Sequence, residues 1–175
     1  MKILHITDSH ASVKPPRSRR DVYYYSFLKK MYELKKIIGF ENIDMVIHTG
    51  DLFHTPRVSD KFAGQVSQMI KSWGIPMFVV PGNHDIDGYS ISTLDQTKLG
   101  LLEKAGVIQI LCRDTPFSVS LKNSKDDSIT VGIISFDLHI SARIFNLSSG
   151  TFTTPIFGSI VQNGKFALCA LFDEV

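Results

Sequence analysis

Cysteine is scarce in this chain. The 175 residues carry two, Cys112 and Cys169, and their spacing fits no zinc or redox motif. They read as buried thiols of a reducing compartment. Charge of one sign is lacking as well. The net charge is only +2, so the molecule is no polycation and any affinity for nucleic acid has to come from a local patch. No apolar run approaches the ~20 residues of a membrane span. The opening "MKILHIT" has one lysine and then a strand-like run broken by His5, Thr7 and Asp8, which is not the pattern of a signal peptide. The expected location is therefore cytoplasmic, with no membrane partner. Repeats, low-complexity tracts and Pro/Gly/Ser linkers are absent too. One domain over residues 1–175 is expected at this length.

What is present is ordinary for a globular protein, with 43% apolar and 21% charged residues. "KILHIT" reads as a buried strand. Residues Asp21 to Ile38 show helical spacing, with Val22, Tyr25, Leu28, Met31, Leu34, Ile37 and Ile38 on the apolar stripe. Asp21 is the expected cap or first-turn acid and Gly39 the stop. "DMVIHTGD" is a second strand. Residues 59–73 form a second helix with Phe62, Val66, Met69, Ile70 and Trp73 buried and Ser59 or Asp60 as cap. "IPMFVVPG" is a third strand, and a shorter helix is expected over about 95–104. This β-α-β-α-β-α order predicts an α/β fold with a parallel sheet. After it, "GVIQIL", "FSVSL" and "SITVGIISFDL" read as strands leaning to antiparallel pairing, "SARIFNLSSGTFTTPIFG" as loop-rich, and "FALCALF" as strand or helix.

The chemistry lies where the first three strands end. They deliver Asp8 and His10 in "TDSH", Asp51 and His54 in "TGDLFH", and Asn83 and His84 in "PGNHD". In parallel sheets the crevice at the carboxyl ends of the strands is where ligands bind. Carboxylates, imidazoles and an amide oxygen without a thiolate suit manganese, iron or zinc. The glycines before Asp51 and Asn83 allow close backbone approach and positive φ. His5 and His48, alone on apolar strands, read as structural.

The series DxH, GDxxH, GNHD resembles the calcineurin-like metallophosphoesterase superfamily. The resemblance implies an α/β/β/α sandwich and two divalent ions, with manganese the metal of choice. It implies that Asp8 and His10 bind one ion, Asp51 bridges, and Asn83 binds the other. His84 would face the scissile phosphate, a bridging hydroxide would attack, and Asp85 would orient the surroundings of His84. "GDLFH", together with "HITDSH" at the N-terminus and "VVPGNHD", is similar to the DNA double-strand-break repair exonucleases of the SbcD type. There a histidine at the position of His54 orients the catalytic histidine, and the nuclease works with a coiled-coil ATPase. The resemblance spans residues 1–110.

It implies DNA as substrate. The basic loop "KPPRSRRDVYYY" supports that independently. Lys14, Arg17, Arg19 and Arg20 are candidates for phosphate contacts. Tyr23, Tyr24 and Tyr25 can stack on bases or pack in the core, and helical spacing buries at least Tyr25.

The family's later Gly-His-x-His pair has no match here, and His139 is the one histidine after His84. The expected second sheet is therefore incomplete, with an exposed face or edge that favours association, and residues 140–175 stay unassigned. The chain reads as a fragment of a longer nuclease, a short form completed by another chain, or a relative that binds without cutting. Phosphoesters other than DNA, small or cyclic nucleotides among them, stay open as substrates.

Overall fold

The computed structural model of the chain describes residues 2–15, 21–88 and 90–111 in full, and the backbone of strands between 117 and 171. The first part alternates strand and helix as its periodicity predicts. β1 is Ile3–Thr7, α1 Tyr23–Glu41, β2 Met45–His48, α2 Asp60–Lys71 and β3 Met77–Val79. A 3₁₀ turn at Ile91–Gln96 leads into α3, Lys98–Lys104, and then β4, Gln109–Ile110. Beyond these come β5 (Phe117–Lys122), β6 (Ser128–Phe136), β7 (Ser141–Asn146) and β8 (Thr151–Phe152). The short pair β9 (Val161–Gln162) and β10 (Lys165–Phe166) precedes β11, Leu168–Leu171.

The main sheet is wholly parallel, in the order β11-β1-β2-β3-β4. Its strand β2 is buried along its length and β1 from Ile3 to Ile6, so they read as near-continuous apolar runs rather than alternating ones. The parallel connections from β1 to β2 and from β2 to β3 run through α1 and α2, which pack together. Phe27 of α1 and Phe62 of α2 meet at 6.0 Å between ring centroids, both fully buried. Burial of each such ring contributes roughly 1.5–3 kcal/mol. The second sheet is antiparallel, in the order β5-β6-β7-β8. Among the described residues no helix is long and apolar enough to cross a membrane.

The helix ends show where local signals held and where they failed. Ser59 caps α2, its hydroxyl accepting from the Phe62 amide, and the whole expected stripe from Phe62 to Trp73 is buried. In α1 the cap residue is Val22, with no side-chain bond, while the Asp21 carboxylate takes the Ser26 hydroxyl at 2.6 Å. Gly39 does not stop α1. The helix runs on to Glu41 and closes at Asn42, which adopts the left-handed conformation at φ 52°. The buried stripe is Tyr23, Phe27, Met31, Leu34 and Ile38. It is rotated from the expected one, so Tyr25 is 67% exposed rather than buried.

One C-terminal expectation is corrected, and one left as strand or helix is resolved. "SARIFN" is a strand, β7, paired with β6, and not loop. "FALCALF" supplies β11, which extends the main sheet by pairing with β1, Leu4 beside Leu168 and His5 beside Cys169. Cys112, His139, Arg17, Arg19 and Arg20 lie outside the described residues.

Candidate active site

The parallel register brings the ends of β1, β2 and β3 side by side, and the chain beyond β1 and β2 stays paired. The Asp8 amide bonds to the Gly50 carbonyl at 3.1 Å, the His10 amide to that of Asp51 at 2.9 Å, and the Ala11 amide to that of Leu52 at 2.8 Å. "DSHA" thus runs along "GDLF" past the sheet. To turn their side chains inward together, Asp8, His10 and Asp51 take φ of 52°, 41° and 54°. Among the described residues the one other non-glycine at positive φ is the helix-closing Asn42. Left-handed backbone at a non-glycine residue carries strain and concentrates at functional sites.

The result is a cluster of ligand atoms. Asp8, His10 and Asp51 each offer one, all within 4.8 Å of one another. His10 Nε2 stands 3.9 Å from Asp8 Oδ1 and 3.9 Å from Asp51 Oδ2. These gaps are too long for hydrogen bonds. They match two donors on one ion, which at ligand distances of about 2.0–2.2 Å lie no more than about 4.4 Å apart. The residues therefore fit a divalent cation. Thr7 Oγ1 donates to Asp8 Oδ2 and the His84 amide donates to Asp51 Oδ1 at 2.9 Å, which orients both carboxylates.

The GNHD turn is pressed against this cluster. A Cβ on Gly82 would overlap the Asp51 carboxylate and amide. Gly82 is needed for space, whereas Gly50, at φ 115°, is needed for conformation as well. Asn83 lies between Gly82 and His84, both in contact with Asp51. His84 Nδ1 donates to the backbone carbonyl of His54 at 2.9 Å, and the two rings stack with centroids 5.4 Å apart. The orienting atom is thus a backbone oxygen of His54, with the ring lying alongside. His10, His54 and His84 form a second convergent group, their nitrogens within 4.8 Å of one another. Burial pushes the His54 imidazole below its usual range, and neighbouring His10 and His84 add to this while Asp51 opposes it.

Asp85 fixes the surroundings of His84 through backbone amides. Its carboxylate, fully buried, accepts from the amides of Phe53 at 2.9 Å, Gly82 at 3.0 Å and Leu52 at 3.1 Å. It therefore staples the GNHD turn to the GDLF turn. Burial pushes it up to about 6, against the opposing pull of the amides.

Three supports were not foreseen from the sequence. The Tyr23 hydroxyl, within 3.1 Å of the Ser9 and His10 carbonyl oxygens, holds the DSH loop from α1. Ser9 Oγ, between Asp8 and His10, pairs with the buried His48 Nε2 at 2.7 Å. Arg57 bonds Asp87 at 2.6 Å, linking the loops that follow β2 and β3. Tyr24 binds Gln65 rather than standing free. Lys14 is exposed.

The family described as "Calcineurin-like phosphoesterase" matches residues 1–151. The DNA double-strand break repair protein Mre11 of Sulfurisphaera tokodaii is 30% identical over 125 residues, 67% of this chain and 30% of the relative. The protein of that name from Saccharolobus solfataricus is 29% identical over 123 residues, 62% of this chain and 31% of the relative. The aligned region thus spans about a third of the length of these relatives. A solved structure, the Pseudomonas putida nuclease MPE, aligns at a TM-score of 0.42 and 12% identity over 88% of this chain and 87% of that chain, a likeness too weak to bear on function.

Proposed function

The chain belongs to the calcineurin-like phosphoesterase family, and from that premise we propose that it is a metal-dependent phosphodiesterase that cuts DNA. The observation that carries this reading is the convergence of Asp8, His10 and Asp51 beside a histidine, His84, whose orientation is fixed by a backbone carbonyl. In the proposal Asp8, His10 and Asp51 hold one divalent ion, and Asn83 with Asp51 holds a second. Manganese suits this mix of oxygen and imidazole donors. When bound, such ions supply Lewis-acid polarisation of a phosphoryl oxygen and activation of water at neutral pH.

The protein's own contribution is orientation and proton handling. A carbonyl only accepts, so the His84 proton bonded to His54 is on Nδ1. That leaves Nε2 as the working nitrogen. Protonated, it stabilises negative charge on the phosphoryl group and hands a proton to the leaving oxygen. DNA as substrate is supported by the names of the relatives and by the exposed Lys14, with Arg17, Arg19 and Arg20 following in sequence as proposed phosphate contacts.

The test is hydrolysis of labelled linear duplex and single-stranded DNA with added manganese, run beside bis-p-nitrophenyl phosphate and cyclic nucleotides. Manganese-dependent cleavage of DNA that is lost in His84→Ala is the expected result. Cleavage of the small phosphodiesters alone would move the substrate from DNA to nucleotides.

A further inference from the structure

His10 presents its two ring nitrogens to different partners. Nε2 faces Asp8 and Asp51, each at 3.9 Å. Nδ1 stands 3.5 Å from Nδ1 of His54. The imidazoles of His10, His54 and His84 each offer a nitrogen, and these lie within 4.8 Å of one another. The rings of His54 and His84 meet His10 edge to face, at interplanar angles of 69° and 87°. Edge-to-face packing lets ring nitrogens converge on a point. One of the three rings is already anchored, by the bond from His84 Nδ1 to the His54 carbonyl. All-imidazole sets favour zinc, copper or nickel, whereas carboxylate-rich sets accept manganese or magnesium.

We propose that His10, His54 and His84 form a zinc site distinct from the Asp8–His10–Asp51 site, and that each site excludes the other because the two draw on opposite nitrogens of one imidazole. A neutral imidazole has one bare nitrogen and one N–H. With an ion on Nε2 the proton is on Nδ1 and points at His54, which closes the three-histidine site. With zinc on Nδ1 the proton is on Nε2 and faces the two carboxylates, which closes the other. Holding both ions would require an imidazolate with no ring proton. Zinc therefore acts as a brake that removes the manganese ion and occupies His84 at once. The consequence for hydrolysis rests on the phosphodiesterase reading; the exclusion of one ion by the other does not.

The test is calorimetric titration of the whole chain with zinc and with manganese, separately and in competition, in the wild type, Asp8→Asn and His54→Gln. No phosphoester is present, so failure here is distinct from failure of the hydrolysis assay. Zinc affinity is expected to fall at least ~10-fold in His54→Gln and to hold in Asp8→Asn, with manganese showing the reverse dependence. Saturating zinc should abolish manganese binding to the wild type. Cobalt(II), whose visible spectrum reports coordination, should show the same dependence on His54. Thermal melts establish that the variants fold, and His84→Gln takes the place of His54→Gln if the latter does not. The proposal is overturned if Asp8→Asn weakens zinc as much as His54→Gln, which would put zinc among the carboxylates. It is also overturned if zinc-saturated protein binds manganese with unchanged affinity.

Discussion

The backbone carbonyl of His54 accepts a hydrogen bond from Nδ1 of His84 at 2.9 Å. The bond comes from the main chain, so it survives replacement of the His54 side chain. His54→Gln should keep His84 in place and lower phosphodiester hydrolysis by only about 10-fold. His84→Asn, which removes the nitrogen proposed to act on the leaving oxygen, should cost on the order of 10²–10⁴-fold. Steady-state rates of the two variants, each at saturating manganese, check the difference. Equal losses would assign the ring of His54 a share in the chemistry equal to that of His84.

Tyr23 reaches from the first turn of α1 to the carbonyl oxygens of Ser9 and His10, at 3.1 Å each. Tyr23→Phe keeps the buried ring and removes the hydroxyl. The expected outcome is a stability loss of about 1 kcal/mol with a several-fold weaker affinity for manganese, because the DSH loop loses its anchor. Chemical denaturation and calorimetry read these two effects separately. Unchanged metal affinity alongside lowered stability would limit Tyr23 to the core.

Asp85 gathers three buried amides from two loops. Asp85→Ala leaves those donors without a partner, at roughly 1–3 kcal/mol for each. A loss of several kcal/mol is therefore expected, with collapse of the ion site as the GNHD turn releases from GDLF. Asp85→Asn keeps one acceptor oxygen and should be milder. Melting temperatures rank the three proteins, and Asp85→Ala above Asp85→Asn would contradict the stapling role.

Burial holds His48 neutral, pushing it from 6.5 down to about 3, with His5 and His10 adding to the shift. Above pH 6.5 neither the folded nor the unfolded state protonates this group, and its contribution is fully present. As pH falls toward 3 the unfolded chain takes up the proton first, so stability is lost. Asp85, raised from 3.8 to about 6, pulls the other way, because between those values the folded state retains a proton the unfolded chain releases. The informative comparison is therefore the wild type against His48→Gln. The variant should be less stable at pH 7, having lost the Ser9 bond, but should lose less on acidification from pH 6.5 to pH 4. Melting temperatures across that range check the slope.

The sequence made the positions of the polar cluster legible because they depend on local rules: apolar strands end, a Gly or a polar pair follows, and parallel order aligns the ends. Asp8, His10, Asp51, His54 and His84 were each found this way and each lies in the cluster. The rotated stripe of α1 was not legible. Tyr23, Tyr24 and Tyr25 are adjacent, and only the contact with Ser9 and His10 decides that Tyr23 turns inward and Tyr25 outward. The continuation through Gly39 was likewise hidden, since Asn42 can close a helix in the left-handed conformation as glycine does. The Leu52 and Phe53 amides held by Asp85 and the Ser9 hydroxyl held by His48 are long-range pairings, spanning more than thirty residues. Periodicity carries no trace of them. The pairing of "LCAL" beside β1 is the longest of all, and a short apolar run states neither its type nor its partner.

The most direct measurement is hydrolysis of a phosphodiester by the wild type and by His84→Asn side by side, with manganese and with chelator, while calorimetry monitors the ion. The expected result is turnover by the wild type that requires manganese, a loss of at least ~100-fold in the variant, and manganese binding that is equal in both. Turnover that persists in chelator, or a variant that hydrolyses at the wild-type rate, would contradict the roles given to Asp8, His10, Asp51 and His84.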